Sequence, residues 1–125
     1  MDNVGGLRLM TNEFGIKLDR NGYAPSIIPY HGETRCFICG RNGLGDKLDR
    51  HEIFGGSNRT LSKNLGLWVY LCHRQCHQFG PDSVHQSAYT MRQLHIYGQM
   101  IAEIAYGWTH EDFIRRFGKN YIAEE

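Results

Sequence analysis

The chain has 125 residues, a 41% apolar share and a formal net charge of +1. That length suits one domain with a modest core, close to the size at which a metal or a disulfide helps to hold a fold. Near-neutral charge excludes a global basic field, no apolar run is long enough to cross a bilayer, and MDNVGGLRLM lacks the form of a signal peptide, so a cytoplasmic protein is expected.

In chain order, LRLM and GIKLDRNGYAPSIIP read as short extended pieces. Asn21-Gly22 is expected to supply the positive φ angles of a tight hairpin turn, and Pro25 and Pro29 argue against a helix. Residues 1–34 are expected to form an arm packed on a core of residues 35–90, with supporting helices in residues 91–125, all in one domain. CFICGRNG has the form of a zinc knuckle, a tight turn whose glycine leaves backbone amides free to point at sulfur. KLDRHEI alternates as a strand, with Asp49, His51 and Ile53 on one face and Leu48, Arg50 and Glu52 on the other.

FGGSNRTLSKNLG is rich in Gly, Ser and Asn and reads as a loop. LWVYLC reads as a buried strand that delivers Cys72 at its end. From about Gln86, Tyr89, Leu94, Tyr97, Ile101 and Ile104 recur as the stripe of an amphipathic helix ending near Gly107. A short second helix follows, with Thr109 as its cap, Asp112 as a capping-box acid and Gly118 as its stop. The fold class expected is α+β.

The cysteines fall in two close pairs, Cys36/Cys39 and Cys72/Cys76, which is the grouping of metal ligands. Four thiolates complete a tetrahedral zinc and leave no open position, so such a site builds structure and does no chemistry. The alternatives are ordinary buried thiols, or His73 in place of one cysteine. A closed zinc does not need His51, His77 or His85, which points to a second site framed by the first. His31, His95 and His110 read as surface or capping residues.

The order of Cys-x-x-Cys, acid and His, Gly-rich loop, apolar strand into Leu-Cys, then Cys-His resembles the HNH endonucleases. DRHEIFGGSNR, GLWVYLC and SVH look like the small HNH proteins of phages and prophages, from Cys36 to about His85, with weaker likeness in GIKLDRNGYAPSII and FGKNY. The resemblance implies a zinc-clamped ββα-metal finger and a nuclease that hydrolyses DNA phosphodiester bonds. It implies His51 as general base, His77, His85 and Asp49 as ligands of a catalytic divalent ion (Mg2+, Mn2+, Ni2+ or Zn2+), and Asn58 or Asn64 as the residue orienting the base. In many members the adjacent pair is ligand then base, and on that register His51 ligates and Glu52 accepts the proton. Arg50, Arg59 and Arg74 are the expected phosphate contacts.

Two further functions remain open on sequence. One is a non-catalytic zinc module that binds nucleic acid or protein; the other is metal storage or redox chemistry, disfavoured because the thiols look committed. DNA is the expected partner of the nuclease, with a homodimer or phage packaging or recombination proteins as further partners by analogy.

Overall fold

The computed structural model describes residues 10–29 and 34–122, so the readings on LRLM and His31 lie outside the described residues. Strands β1 (Leu48–Glu52) and β2 (Trp68–Cys72) pair antiparallel, with Leu48 opposite Cys72 and Glu52 opposite Trp68. Between them runs a short 3-10 turn, Gly56–Asn58, and helix α1 (Arg59–Asn64). After β2 come a wide π-helical turn (His73–Gln78), helix α2 (Ala88–Tyr106) and helix α3 (His110–Phe117). The fold is a small α+β arrangement on a two-stranded sheet. Among the described residues no helix is long and apolar enough to cross a membrane.

Residues 10–29 lie along β2 as extended chain and turns. Ser26 Oγ donates to the Trp68 carbonyl at 2.7 Å, Trp68 Nε1 donates to the Ala24 carbonyl at 2.8 Å, and the Ile27 amide donates to Gly66 at 2.9 Å. The turn in this arm differs from the expected two-residue hairpin. Its backbone bonds run from Gly22 N–H to Asp19 and from Asp19 N–H to Tyr23, and only Gly22 has positive φ, at 88°. Asp19 Oδ1 accepts from the amides of Asn21 and Tyr23 at 2.8 and 3.0 Å, so an aspartate-stabilised turn followed by a left-handed glycine makes the reversal.

Part of the segment expected as loop is helix α1. Its inward anchor is a serine: Ser62 is fully buried, donating to the Leu67 carbonyl at 2.7 Å and accepting from the Phe54 amide at 3.1 Å. A buried hydroxyl satisfied by backbone leaves no apolar period in the sequence, which explains the misreading.

Helix α2 starts one residue after Ser87, whose hydroxyl accepts from the Thr90 amide, and ends at Gly107 with φ 68°. Its buried residues are Leu94, Gly98, Gln99 and Ala102, whereas Tyr89 and Ile104 are 72% and 76% exposed. The inward face is therefore rotated from the expected stripe, because small residues permit close approach where Ile53 and Phe54 pack. Helix α3 has the expected capping box of Thr109 and Asp112 and the Gly118 terminus at φ 85°.

Phe54 is the centre of an aromatic cluster with Phe113, Phe117 and Tyr121 at ring separations of 4.9 to 5.4 Å. His95 belongs to it, stacked 5.4 Å from Phe54 and 4.6 Å from Tyr121, and burial lowers its pKa. It is a packed residue, not the surface residue expected. His110 does sit at a helix start, with Nδ1 2.8 Å from Glu103 Oε2.

A Cβ on Gly98 would stand 2.8 Å from Ile53 Cγ2 and 3.2 Å from the Phe54 ring. Gly98→Ala gains about 1 kcal/mol in helix propensity but overpacks this contact at about 1–3 kcal/mol. A lowered melting temperature is expected in thermal denaturation, against the rise that propensity alone predicts.

Candidate metal centre

The knuckle turn after Cys36 closes through Gly40 N–H to the Cys36 carbonyl at 2.9 Å, with Gly40 at φ 81°. Phe37 N–H donates to the Tyr70 carbonyl at 2.8 Å, which docks this turn on β2. Cys36, Cys39, Cys72 and Cys76 converge with their sulfurs within 4.8 Å of one another, unpaired as disulfides, and form a cluster that could hold a metal such as zinc. Burial pushes the Cys36 thiol up, but the amides of Cys39, Cys72 and Ile38 outweigh it and bring it to about 7. Burial and the neighbouring cysteines Cys39 and Cys36 push Cys72 up to about 12. Several thiolates cannot share so small a volume without a cation, so a divalent ion fits the donor set. His73 is not part of this cluster.

A second group lies beside the first. His51 on β1, His77 in the π-helical turn and His85 before α2 bring their nitrogens within 4.8 Å. The rings of His51 and His77 are 5.0 Å apart, His51 and His85 5.4 Å, and His77 and His85 4.9 Å. His51 Nδ1 lies 3.2 Å from His77 Nε2, while the buried His51 Nε2 has no hydrogen-bond partner. Burial, helped by His77 and His85, brings the His51 pKa down from 6.5 to about 3, so it stays neutral with a lone pair to offer. His51 and His77 are buried and His85 is exposed, which leaves the group open on one side.

The π-helical turn makes this arrangement possible. Cys76 and His77 are adjacent, yet one serves the sulfur cluster and the other the imidazole cluster. Wide turns of this kind re-aim side chains at sites. Backbone bonds from Val84 N–H to Cys76 at 3.0 Å and from His85 N–H to His77 at 3.2 Å fold His85 back over them.

Asp49 shares the inner face of β1 with His51, as the alternation predicts. Its Oδ2 lies 2.8 Å from His77 Nδ1 and 2.7 Å from His73 Nδ1, outside the three-histidine set, and with those two histidines it forms a further group that could hold an ion. These are hydrogen-bond distances, and despite burial the two imidazoles hold the Asp49 carboxyl below its usual 3.8. A carboxylate on Nδ1 fixes the proton there and turns the Nε2 lone pair of His77 toward His51, the usual support of a metal-binding histidine.

The other expected site residues divide. Glu52 faces away from the histidines, accepting from the Tyr23 hydroxyl and, at 3.0 Å, from Arg59 Nε. Asn58 donates to the Phe117 carbonyl at 2.9 Å, and the Asn64 carbonyl accepts from Asn12 at 2.8 Å; these contacts are with helix α3 and the arm, not with His51. Arg50 is paired with Asp19 at 2.7 Å, and Arg74 donates to the Gly45 carbonyl at 2.7 Å beyond the sulfur cluster. Arg50 and Arg59 line a cleft of about 570 Å3 that also holds Asp49 and His77; Arg74 does not. Leu48, Lys63, Asn21 and Tyr23 complete its walls. The sequence offered no signal for these, since their place depends on how the arm packs. Comparisons with protein-family models, with curated proteins and with solved structures return no match.

Cys36→Ser is expected to lose bound zinc and cooperative unfolding together, whereas His77→Ala keeps the fold and loses the second ion, as read by metal analysis and calorimetry. Asp49→Asn leaves the sulfur site filled and weakens the exchangeable ion roughly 10–100-fold, measured by titration calorimetry.

Proposed function

We propose that the protein is a metal-dependent endonuclease of the HNH type that hydrolyses phosphodiester bonds in DNA, built on a zinc-clamped ββα-metal finger. The observation that carries this reading is the convergence of His51, His77 and His85 beside a set of four cysteines that could hold an ion by itself. A module that only needs one structural ion has no use for three further imidazoles with an exposed side.

A divalent ion at the three histidines would supply positive charge for the non-bridging and leaving oxygens of a phosphodiester in its transition state. The chain's own residues provide the rest. Arg59 and Lys63 line the cleft that holds His77 and give a polyanion its contacts. His51 acts as a ligand in this proposal, because one ring nitrogen faces His77 and the other points into the interior without a partner. Glu52, on the other face of β1, anchors Arg59 and the Tyr23 hydroxyl beside the cleft. Burial and Glu52 push the Tyr23 hydroxyl up to about 12, so it remains a donor. The phage setting and a packaging or recombination role rest on the sequence resemblance.

One observation favours the second reading, a zinc module that binds without cutting. The arginines near the cleft are committed, Arg50 to Asp19 at 2.7 Å and Arg59 to Glu52 at 3.0 Å, and the net charge is only +1. The ligand surplus outweighs it.

A plasmid-nicking assay with magnesium, manganese, nickel or zinc tests the proposal. The parent is expected to nick; His51→Ala is expected to lose most of the rate while keeping the sulfur-bound zinc and the fold. Absence of nicking by the parent with every metal establishes the binding module instead.

A further inference from the structure

The cleft beside the histidines continues past β1 onto the outer face of the hairpin. There a second cavity of about 450 Å3 opens between the arm and the strands. The two share Tyr23 and Arg50. The first is lined by cations and by Asp49 and His77; the second is walled by Trp68, Tyr70, Pro25 and the stem of Leu18, with Lys17 at its rim.

The shared wall has a particular chemistry. The Arg50 guanidinium lies 4.3 Å from the Tyr23 ring centre and 5.2 Å from that of Trp68, held in place by Asp19 at 2.7 Å. Its charge is thus neutralised and its planar face belongs to an aromatic stack. Tyr23 and Tyr70 are half-buried, so both keep accessible ring surface. Lys63 sits 4.8 Å from the Tyr23 ring on the cleft side and has no carboxylate partner among the described residues.

A nucleotide presents a phosphate and a flat aromatic base separated by one sugar. The surface presents a cationic cleft and a π-lined cavity separated by the side chains of Tyr23 and Arg50. We infer that the outer cavity is a binding site for an unpaired nucleobase of the strand whose phosphate enters the histidine cleft. Stacking on the tyrosine rings tolerates any base, since every base has a π-face, and gives affinity without sequence readout. A base held in a duplex has both faces covered and its pairing edge occupied, and it cannot enter. The substrate class follows: single-stranded, looped or frayed DNA is preferred to uninterrupted duplex. It also explains how a chain with a net charge of +1 can hold DNA, since stacking replaces part of the missing phosphate attraction. The inference rests on reading the cleft as a phosphodiester site.

The test is binding of the full chain, with its sulfur site loaded with zinc, to a dye-labelled oligothymidylate and to the same length of blunt duplex, by anisotropy. The single strand is expected to bind roughly tenfold tighter, and Tyr70→Ala to remove roughly that tenfold while leaving duplex binding unchanged. Lys17→Glu, at the exposed rim, is expected to weaken both. Equal affinity for the two forms overturns the inference, as does a folded Tyr70→Ala protein that binds like the parent. Should Tyr70→Ala fail to fold, a single strand carrying 2-aminopurine reads the same point on the parent protein: its fluorescence is quenched on stacking, and binding without quenching overturns the site. Quenching without cleavage under any metal keeps the base site and removes the nuclease. Cleavage of single strand and duplex alike without quenching keeps the nuclease and removes the base site.

Discussion

Closure of four cysteines at one end of a two-stranded sheet is the constraint on which the rest depends. Cys72 ends β2 directly opposite Leu48, the first residue of β1, so an ion at the sulfurs clamps both strands at a defined register. In a hairpin of five-residue strands a slip of one position would turn His51 outward and Arg50 inward. The sulfur cluster therefore does more than add stability. With the strands in this register, His51 is the residue of β1 that faces His77 and His85.

From that clamp the π-helical turn leads on without a break. Because Cys76 and His77 are neighbours, the position of the sulfur cluster determines that of the second site to within one residue. Asp49 then finishes the arrangement from behind, holding His77 and His73 through one carboxylate oxygen at 2.8 and 2.7 Å. Removing this carboxylate would leave two imidazoles to choose their own tautomers and ring orientations. A site for a metal with exchangeable coordination needs that choice made in advance.

The arm forms one wall of both clefts and so of the proposed substrate surface. Tyr23 reaches Glu52 and Arg50 across the edge of β1, and the same residue separates the cationic cleft from the aromatic cavity. Most charges here are spent within the protein: Arg50 on Asp19, Arg59 on Glu52, Arg116 on Glu13. Such pairing is consistent with the proposed recognition by stacking, in which Lys63 and an ion would supply the attraction for phosphate.

The sequence by itself determined the features that depend on spacing along the chain. The paired cysteines, the alternation that placed Asp49 and His51 together, the strand ending at Cys72, and the capping box and glycine stop of α3 are all local, and local chemistry is enough to specify them. Tertiary structure decided what depends on contacts between distant segments. Helix α1 is held by a buried serine that has no hydrophobic period; the inward face of α2 is set by the fit of Gly98 against Ile53 and Phe54; and His95 is half-buried, packed between Phe54 and Tyr121. The π-helical turn presents His77 Nδ1 to Asp49 and Nε2 to His51, so the two β1 residues meet different nitrogens of one ring. No spacing in the chain encodes which of two ring nitrogens will face a neighbour; that is settled only when the elements are packed together.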